Sequence, residues 1–339
     1  MSELGELIYF PVMAKGLQLA ICAEMSGLPW SGFTTEEAGP KSWGELKPSG
    51  IAPFGQMPLL KTPGGMVIGQ AVAIANYIAK KAGAVLEGES DEEFAISQMC
   101  MQEGEDIYSM LGKCHLANWK TVEQRAEGAE DAKALFADGL AAHFANLDGL
   151  CKGEQNESDG KWKNCKFTST GTTAGELYLW GMIHQSVLAG GTMALNKSRS
   201  ARGGAMELYY PKLNKWYNTL LEMDGIKKVL AGESAIGTFN VYFIDTPTFN
   251  KKHGIEDDSG YGEANGYGTV AVDLAEEARK AKATMKALRA SQMDKPPPVA
   301  MKLNKETGEM EKFVSSALTD DFAEVEDAGA VEFDLGDDY

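Results

Sequence analysis

Positive charge is what this chain has least of relative to its size. Its 32 lysines and arginines face 49 aspartates and glutamates, a formal net charge of −17 over 339 residues. Nucleic acids and anionic membranes both require basic surface, so neither is expected as a partner. Histidine occurs four times. His115, His143, His184 and His253 have no partners at the spacings of a triad or a metal site, and no metal is expected. The five cysteines (Cys22, Cys100, Cys114, Cys151, Cys165) are odd in number and scattered. That argues against a disulfide framework and for free thiols in a reducing compartment. Long apolar runs are missing too: none approaches the roughly 18 residues of a membrane span. The opening Met1–Glu6 is acidic and has neither signal-peptide nor transit-peptide layout, so the expected location is cytoplasmic. Ala189-Gly190-Gly191 and Arg202-Gly203-Gly204 lack the context of a phosphate loop, and the basic stretch Lys197–Arg202 reads as a solvated insertion.

What is present is ordered along the chain. Leu7–Phe10 reads as a short strand ended by Pro11, and Lys15–Met25 as a helix closed by Gly27. Trp30–Phe33 could be a second strand. Met57–Leu60 and Met66–Ile68 flank Pro63-Gly64-Gly65 as a hairpin, followed by a helix over Gln70–Ala82 that stops at Gly83. Such a β-α-β unit with a hairpin and a helix makes a mixed sheet covered by helices. From Asp91 strand signals fade, and helices are expected at 91–116, 127–151, 173–188, 207–222 and 225–231. Thr173 and Glu176 form a capping box at the start of one of them. The expected domains are 1–84, 90–235 (all-helical) and an extension over 236–339. Within the extension, 250–268 reads as a loop, 270–293 as a helix before Pro296-Pro297-Pro298, and 300–314 as a hairpin. The last stretch, Leu318–Tyr339, holds nine acidic residues and no basic one and reads as flexible.

Three segments carry a resemblance. LIYFPVMAKGLQLAICAEMSGL is similar to the opening of the tyrosine-type cytosolic glutathione S-transferases. GIAPFGQMPLL followed by IGQAVAIANYIAKKAG resembles the core of that superfamily's glutathione site, and YYPKLNKWYNTLLEMDGIKKVLA its closing helices. Order and spacing agree over roughly residues 5–232, with Trp43–Pro48 closest to the sigma/pi-like group. The resemblance implies an α/β thioredoxin-like N-terminal domain plus an all-α C-terminal domain, glutathione as co-substrate, and a homodimer.

Residue by residue, the resemblance places Tyr9 as the catalytic hydroxyl that donates to the glutathione sulfur; a packed core tyrosine is the alternative. Pro58 falls where the fold keeps a cis proline, which would turn the main chain of Met57 towards the cysteinyl unit of glutathione; a trans turn proline is the alternative. Gln56 and Gln70 match polar ligands of the peptide, with Gln70 opening a helix whose N–H groups suit the γ-glutamyl carboxylate. Ala71 stands where the family has serine, so the N–H survives without the hydroxyl. Trp43 and Lys47 match residues at the glycyl end. Lys15 falls near the site where relatives have arginine, although Lys15 and Lys47 could equally be solvated charges. Met13 replaces another arginine and could line the second-substrate pocket. Glu103 is the candidate for the acidic residue that a partner subunit supplies. Its neighbours Glu105 and Asp106 could equally be a solvated helix face, and Met99, Met101, Tyr108, Met110, Trp180 and Met182 read mostly as core, with some of them open as walls of the apolar co-substrate cleft.

The expected function is therefore a glutathione transferase of detoxification type, activating the thiol against a small apolar electrophile, or a closely related glutathione-dependent isomerase or peroxidase. The alternative is a non-catalytic scaffold or interaction subunit. Ala71 and Met13 support it, as does a tail whose Phe322, Val325, Val331, Phe333 and Leu335 suit a segment that orders on a protein partner. A thioltransferase with a catalytic cysteine does not fit, because Cys22 lies too far along its helix.

Overall fold

The structure, a computed structural model, describes residues 3–189, 209–256, 301–303 and 310–312. The chain divides into two compact units, Met1–Asp273 and Leu274–Tyr339. In the first, β1 (Glu6–Tyr9), α1 (Gly16–Met25) and β2 (Ser31–Thr34) form a β-α-β unit. A one-turn helix α2 (Trp43–Leu46) follows, then β3 (Leu59–Lys61), β4 (Val67–Gly69) and α3 (Ala71–Ala82). The sheet order is β2-β1-β3-β4. β1 runs parallel to β2 and antiparallel to β3, and Ile8 pairs with Leu59. That register sets the end of β1, Tyr9, beside the entry to β3, Pro58. This is the thioredoxin-like arrangement, and both helices that flank the sheet follow from their sequences. α3 buries Ile74, Ala75, Ile78 and Ala79 along one stripe and ends at Gly83, whose φ of 73° suits glycine.

The helical part follows a one-turn helix α4 (Ala84–Glu87). α5 (Asp91–Lys113) starts where the Ser90 hydroxyl accepts the Glu93 N–H at 3.2 Å, with three acids in its first turn facing the helix dipole. α9 (Ala174–Ala189) crosses α5 and also packs on α1 and α3, tying the sheet to the helices. The crossing is close: a Cβ on Gly175 would stand 1.7 Å from the Ser97 carbonyl oxygen, so only glycine fits. The capping box at its start is built as the sequence implies. Thr173 Oγ1 accepts from the Glu176 N–H at 3.4 Å, while the buried Glu176 carboxylate accepts from the N–H groups of Thr173 and Phe167 at 3.2 and 2.8 Å. Helices Pro211–Leu221 and Asp224–Leu230 complete the bundle.

Four features differ from the sequence reading. The stretch expected as one helix over 127–151 is α7 (Ala129–Ala134), a π-type turn Leu135–Gly139 and α8 (Leu140–Leu150), preceded by α6 (Val122–Glu127). A two-stranded hairpin, β5 (Lys152–Gln155) and β6 (Trp162–Lys166), stands among the helices. Its strands are too polar to show alternation, although Asn156–Gly160 carries turn residues. Residues 236–249 pack into the first unit and bury Ile236, Phe239, Phe243, Ile244 and Phe249. The loop expected from Asn250 begins instead inside a helix, Thr246–His253, capped by the Asp245 carboxylate. In the second unit Met301–Leu303 and Met310–Lys312 pair antiparallel, the hairpin expected at 300–314. The expected helix at 270–293, the basic stretch 197–202 and the acidic tail lie outside the described residues.

Candidate functional site

Seven of the residues singled out from sequence line one cavity of about 190 Å³: Tyr9, Lys15, Gln56, Met57, Pro58, Gln70 and Ala71. Phe54 and Tyr108 complete its lining. Tyr9 is 5% exposed. Its ring lies over Gly16, and its hydroxyl oxygen accepts the Lys15 backbone N–H at 3.1 Å. That bond occupies an oxygen lone pair and leaves the phenolic proton free to be donated. Burial raises the Tyr9 pKa well above its ordinary 10.0, partly countered by the Lys15 N–H, so the phenol stays protonated at neutral pH. At neutral pH such a phenol can donate a hydrogen bond but cannot act as a base.

The opposite wall offers main chain. The Met57–Pro58 peptide bond is cis. Neither the N–H nor the C=O of Met57 bonds to another described residue, so an extended ligand can pair with it strand-wise. Beside it, α3 opens at Gln70 with no side-chain cap. The N–H groups of its first turn have no helical acceptor and carry the positive end of the dipole, a setting for a carboxylate. Gln70 holds a φ of 71°, a conformation rare outside glycine that costs of order 1–3 kcal/mol.

Lys15 is held differently from a free cation. Its ammonium bonds the Glu105 carboxylate at 2.5 Å and lies 4.9 Å from the centre of the Tyr108 ring. Glu105 also accepts the Tyr178 hydroxyl. Of the two readings left open for Glu105 the solvated face is thus excluded, and Tyr108 is a wall of the cavity as well as a packed ring. The Glu105 ion pair and Phe54 are what sequence reasoning missed, whereas Tyr108 stood among the residues left open as cleft walls. A charge on a helix is by default exposed, and the partner that buries this one lies 90 positions away.

The remaining candidates lie outside the cavity lining. Trp43 meets the edge of Phe10 at 5.9 Å, and the stem of the exposed Lys47 runs beside Gly55, next to Gln56. Met13 is buried and donates its N–H to Asn240 at 2.9 Å. Glu103 lines a second, apolar cavity of about 190 Å³ between α5 and α8, where it bonds His143 at 2.6 Å.

Over 102 residues the chain is 30% identical to glutathione S-transferase 4 of Caenorhabditis elegans, a match covering 30% of this chain and 45% of that protein. Over that stretch the chain is similar to a glutathione S-transferase. The matched stretch spans less than half the length of that curated relative. No protein-family model matches the chain. Among solved structures, prostaglandin synthase D of Nilaparvata lugens is similar at TM-score 0.47 and 17% identity, over 66% of this chain and 94% of that one. A glutathione S-transferase from Ascaris lumbricoides is similar at TM-score 0.45 and 19% identity, over 67% and 96%. The fold is assigned from the chain's own sheet order and helices. Among the described residues no helix is long and apolar enough to cross a membrane, and no cluster of His, Cys, Asp or Glu could hold a metal ion.

Proposed function

We propose that the chain is a tyrosine-type glutathione transferase, in which Tyr9 stabilises the thiolate of bound glutathione for attack on an apolar electrophile. The observation that carries this reading is the meeting of a protonated phenol, an unpaired main-chain edge at Met57 and an uncapped helix start in one cavity. A free thiol ionises near pH 8.5, so at neutrality most glutathione is a poor nucleophile. In this reading the cysteinyl unit pairs with the Met57 main chain, which sets its sulfur before Tyr9. The thiol proton leaves to solvent, and the Tyr9 O–H bonds the sulfur anion. The thiolate then forms the new carbon–sulfur bond as the electrophile's leaving group or π electrons depart.

The γ-glutamyl carboxylate takes the first turn of α3. Ala71 supplies its N–H there without a hydroxyl, which lowers affinity by about 1.5–3 kcal/mol relative to a serine that donates to the carboxylate. Lys47 and Trp43 meet the glycyl end. Lys15, already bound by Glu105, fixes the wall and does not grip the peptide. A homodimer belongs to the same proposal: Phe54, which lines the cavity, is 67% exposed, and a separate apolar groove between α5 and α8 carries Glu103. A cytoplasmic role in detoxification belongs to the same proposal.

The test is retention on immobilised glutathione together with thiol conjugation to a generic electrophile, for wild type and Tyr9→Phe. Retention with turnover that vanishes in the variant supports the enzyme. Retention without turnover in either protein supports the scaffold reading instead, and no retention removes both the site and the mechanism.

A further inference from the structure

Between the end of β1 at Tyr9 and the start of α1 at Gly16 the chain turns back within six residues. Ala14 in that turn holds a φ of 25°, a left-handed conformation that a residue with a side chain rarely adopts. Strained backbone of this kind persists only where its surroundings over-determine it. The turn also aims the Lys15 N–H at the Tyr9 hydroxyl oxygen, 3.1 Å away. Whatever holds the turn therefore holds the phenol.

Two residues from distant parts of the sequence grip it. From α9, Gln185 Nε2 donates to the Ala14 carbonyl oxygen at 2.8 Å. From beyond the stretch that resembles the transferases, Asn240 takes the other flank with three bonds. Its N–H and its side-chain Nδ2 both donate to the Pro11 carbonyl, at 3.0 and 2.9 Å, and its own carbonyl accepts the Met13 N–H at 2.9 Å. Gln185 is the telling one. It is 1% exposed, and its Oε1 has no hydrogen-bond partner among the described residues. A buried amide with an orphaned oxygen weakens a fold, and an apolar residue of the same shape would remove that cost. Its Nε2 otherwise reaches only its own helix, the Gly181 carbonyl at 3.3 Å and the Met182 sulfur at 3.8 Å. A polar group that breaks the packing rules in this way marks a functional constraint, and the Ala14 bond is where that constraint acts.

We propose that Gln185 is a positioning residue for Tyr9: with Asn240 on the other flank, it holds the strained turn so that the Lys15 N–H orients the Tyr9 hydroxyl for the bound sulfur. The proposal rests on the thiol-activation reading of the Tyr9 cavity. A hydroxyl proton rotates to suit its surroundings, and a phenol left alone places it on either side of the oxygen. The Lys15 N–H takes one side, so the proton is set on the other. A hydroxyl that accepts a hydrogen bond also donates a stronger one. Slack in the turn removes both effects and weakens the bond to the thiolate.

The experiment titrates the thiol of bound glutathione by its thiolate absorbance, and follows kcat/KM against pH, in wild type, Tyr9→Phe, Gln185→Met and the double variant. Methionine keeps the length of glutamine and loses its amide. Gln185→Met is expected to raise the bound-thiol pKa by about half a unit, the scale of one weakened neutral hydrogen bond. kcat/KM should then fall about threefold at acidic pH and return to the wild-type value where the thiol is ionised in both proteins. Affinity for glutathione should hold, because Met57 and Gln70 are untouched. In the Tyr9→Phe background the same substitution should shift the titration no further, since the hydroxyl it positions is gone. An equal shift in both backgrounds is a general loosening and overturns the positioning role. So does a Gln185→Met titration identical to wild type while Tyr9→Phe differs, which leaves Tyr9 in place. Asn240→Ala, at an exposed position, should shift the titration in the same direction. If Gln185→Met does not fold, an Asn240→Ala protein that titrates as wild type overturns the clamp. Identical titrations in wild type and Tyr9→Phe overturn it together with the reading beneath it.

Discussion

Gly16→Ala puts one methyl group where the structure has no room for it. The added Cβ would stand 2.3 Å from Tyr9 Cδ1 and 2.9 Å from Phe239 Cε1. Both neighbours are buried rings, and neither is the loose end of a flexible chain. Overpacking of this kind costs about 1–3 kcal/mol. Against it, alanine is favoured over glycine in a helix by at most about 1 kcal/mol, and less at the first position of α1, where Gly16 lies. The net expectation is a loss of about 1–2 kcal/mol. For a unit of this size that is a fall in Tm of roughly 2–8 °C. Function should suffer more than stability. The ring that must give way carries the proposed thiolate donor, and a displacement of about 1 Å can cost about 100-fold in rate. Thermal unfolding and conjugation of glutathione, measured on the same preparation, check both halves. A Gly16→Ala protein that melts higher than wild type and keeps full activity would refute the reasoning, since it would mean that Tyr9 is not held where the packing sets it.

Other expectations follow from single contacts. Glu176→Ala should cost at least about 3 kcal/mol in chemical denaturation, because the buried N–H groups of Phe167 and Thr173 lose their acceptor at about 1–3 kcal/mol each and the cap of α9 is lost. Gln70→Gly should stabilise the fold by about 1 kcal/mol, by relaxing the φ of 71°, while weakening retention on glutathione; equal retention would remove Gln70 from the ligand set. Arg125→Met should release residues 236–249 to limited proteolysis, since the buried guanidinium bonds the carbonyl oxygens of His115 and Ile244 and lies over the Phe249 ring at 4.7 Å. Alkaline stability follows from the thiols. Burial pushes Cys22 up to about 12 and Cys114 up to about 11, whereas an unfolded thiol titrates at 9.0. The folded chain keeps protons that the unfolded one releases, so unfolding free energy should fall as pH rises from about 9 towards 11; a flat profile there would contradict the burial of these side chains.

The sheet was legible in the sequence because its signals are local, and the cavity because the resemblance named residues on adjoining elements. Strand, Pro11, helix and Gly27 follow one another within 25 residues, and Gln56, Met57, Pro58 and Gln70 sit on two adjoining elements. What escaped depends on distance along the chain. Ile236, Phe239, Phe243 and Ile244 follow neither a helical nor a strand period, so they read as linker until their partners at Pro11, Met13 and Leu116 are known. Glu105 was left open for the same reason. The β5–β6 hairpin is stabilised by its packing on the helix Pro211–Leu221 and not by its own polar strands.

The account is tested most directly by titrating the thiol of glutathione bound to wild type and to Tyr9→Phe, following thiolate absorbance against pH. Bound to wild type, the thiol should ionise at least one unit below its free value of about 8.5, and in the variant it should return towards that value. Equal affinity and an identical titration in both proteins would contradict it.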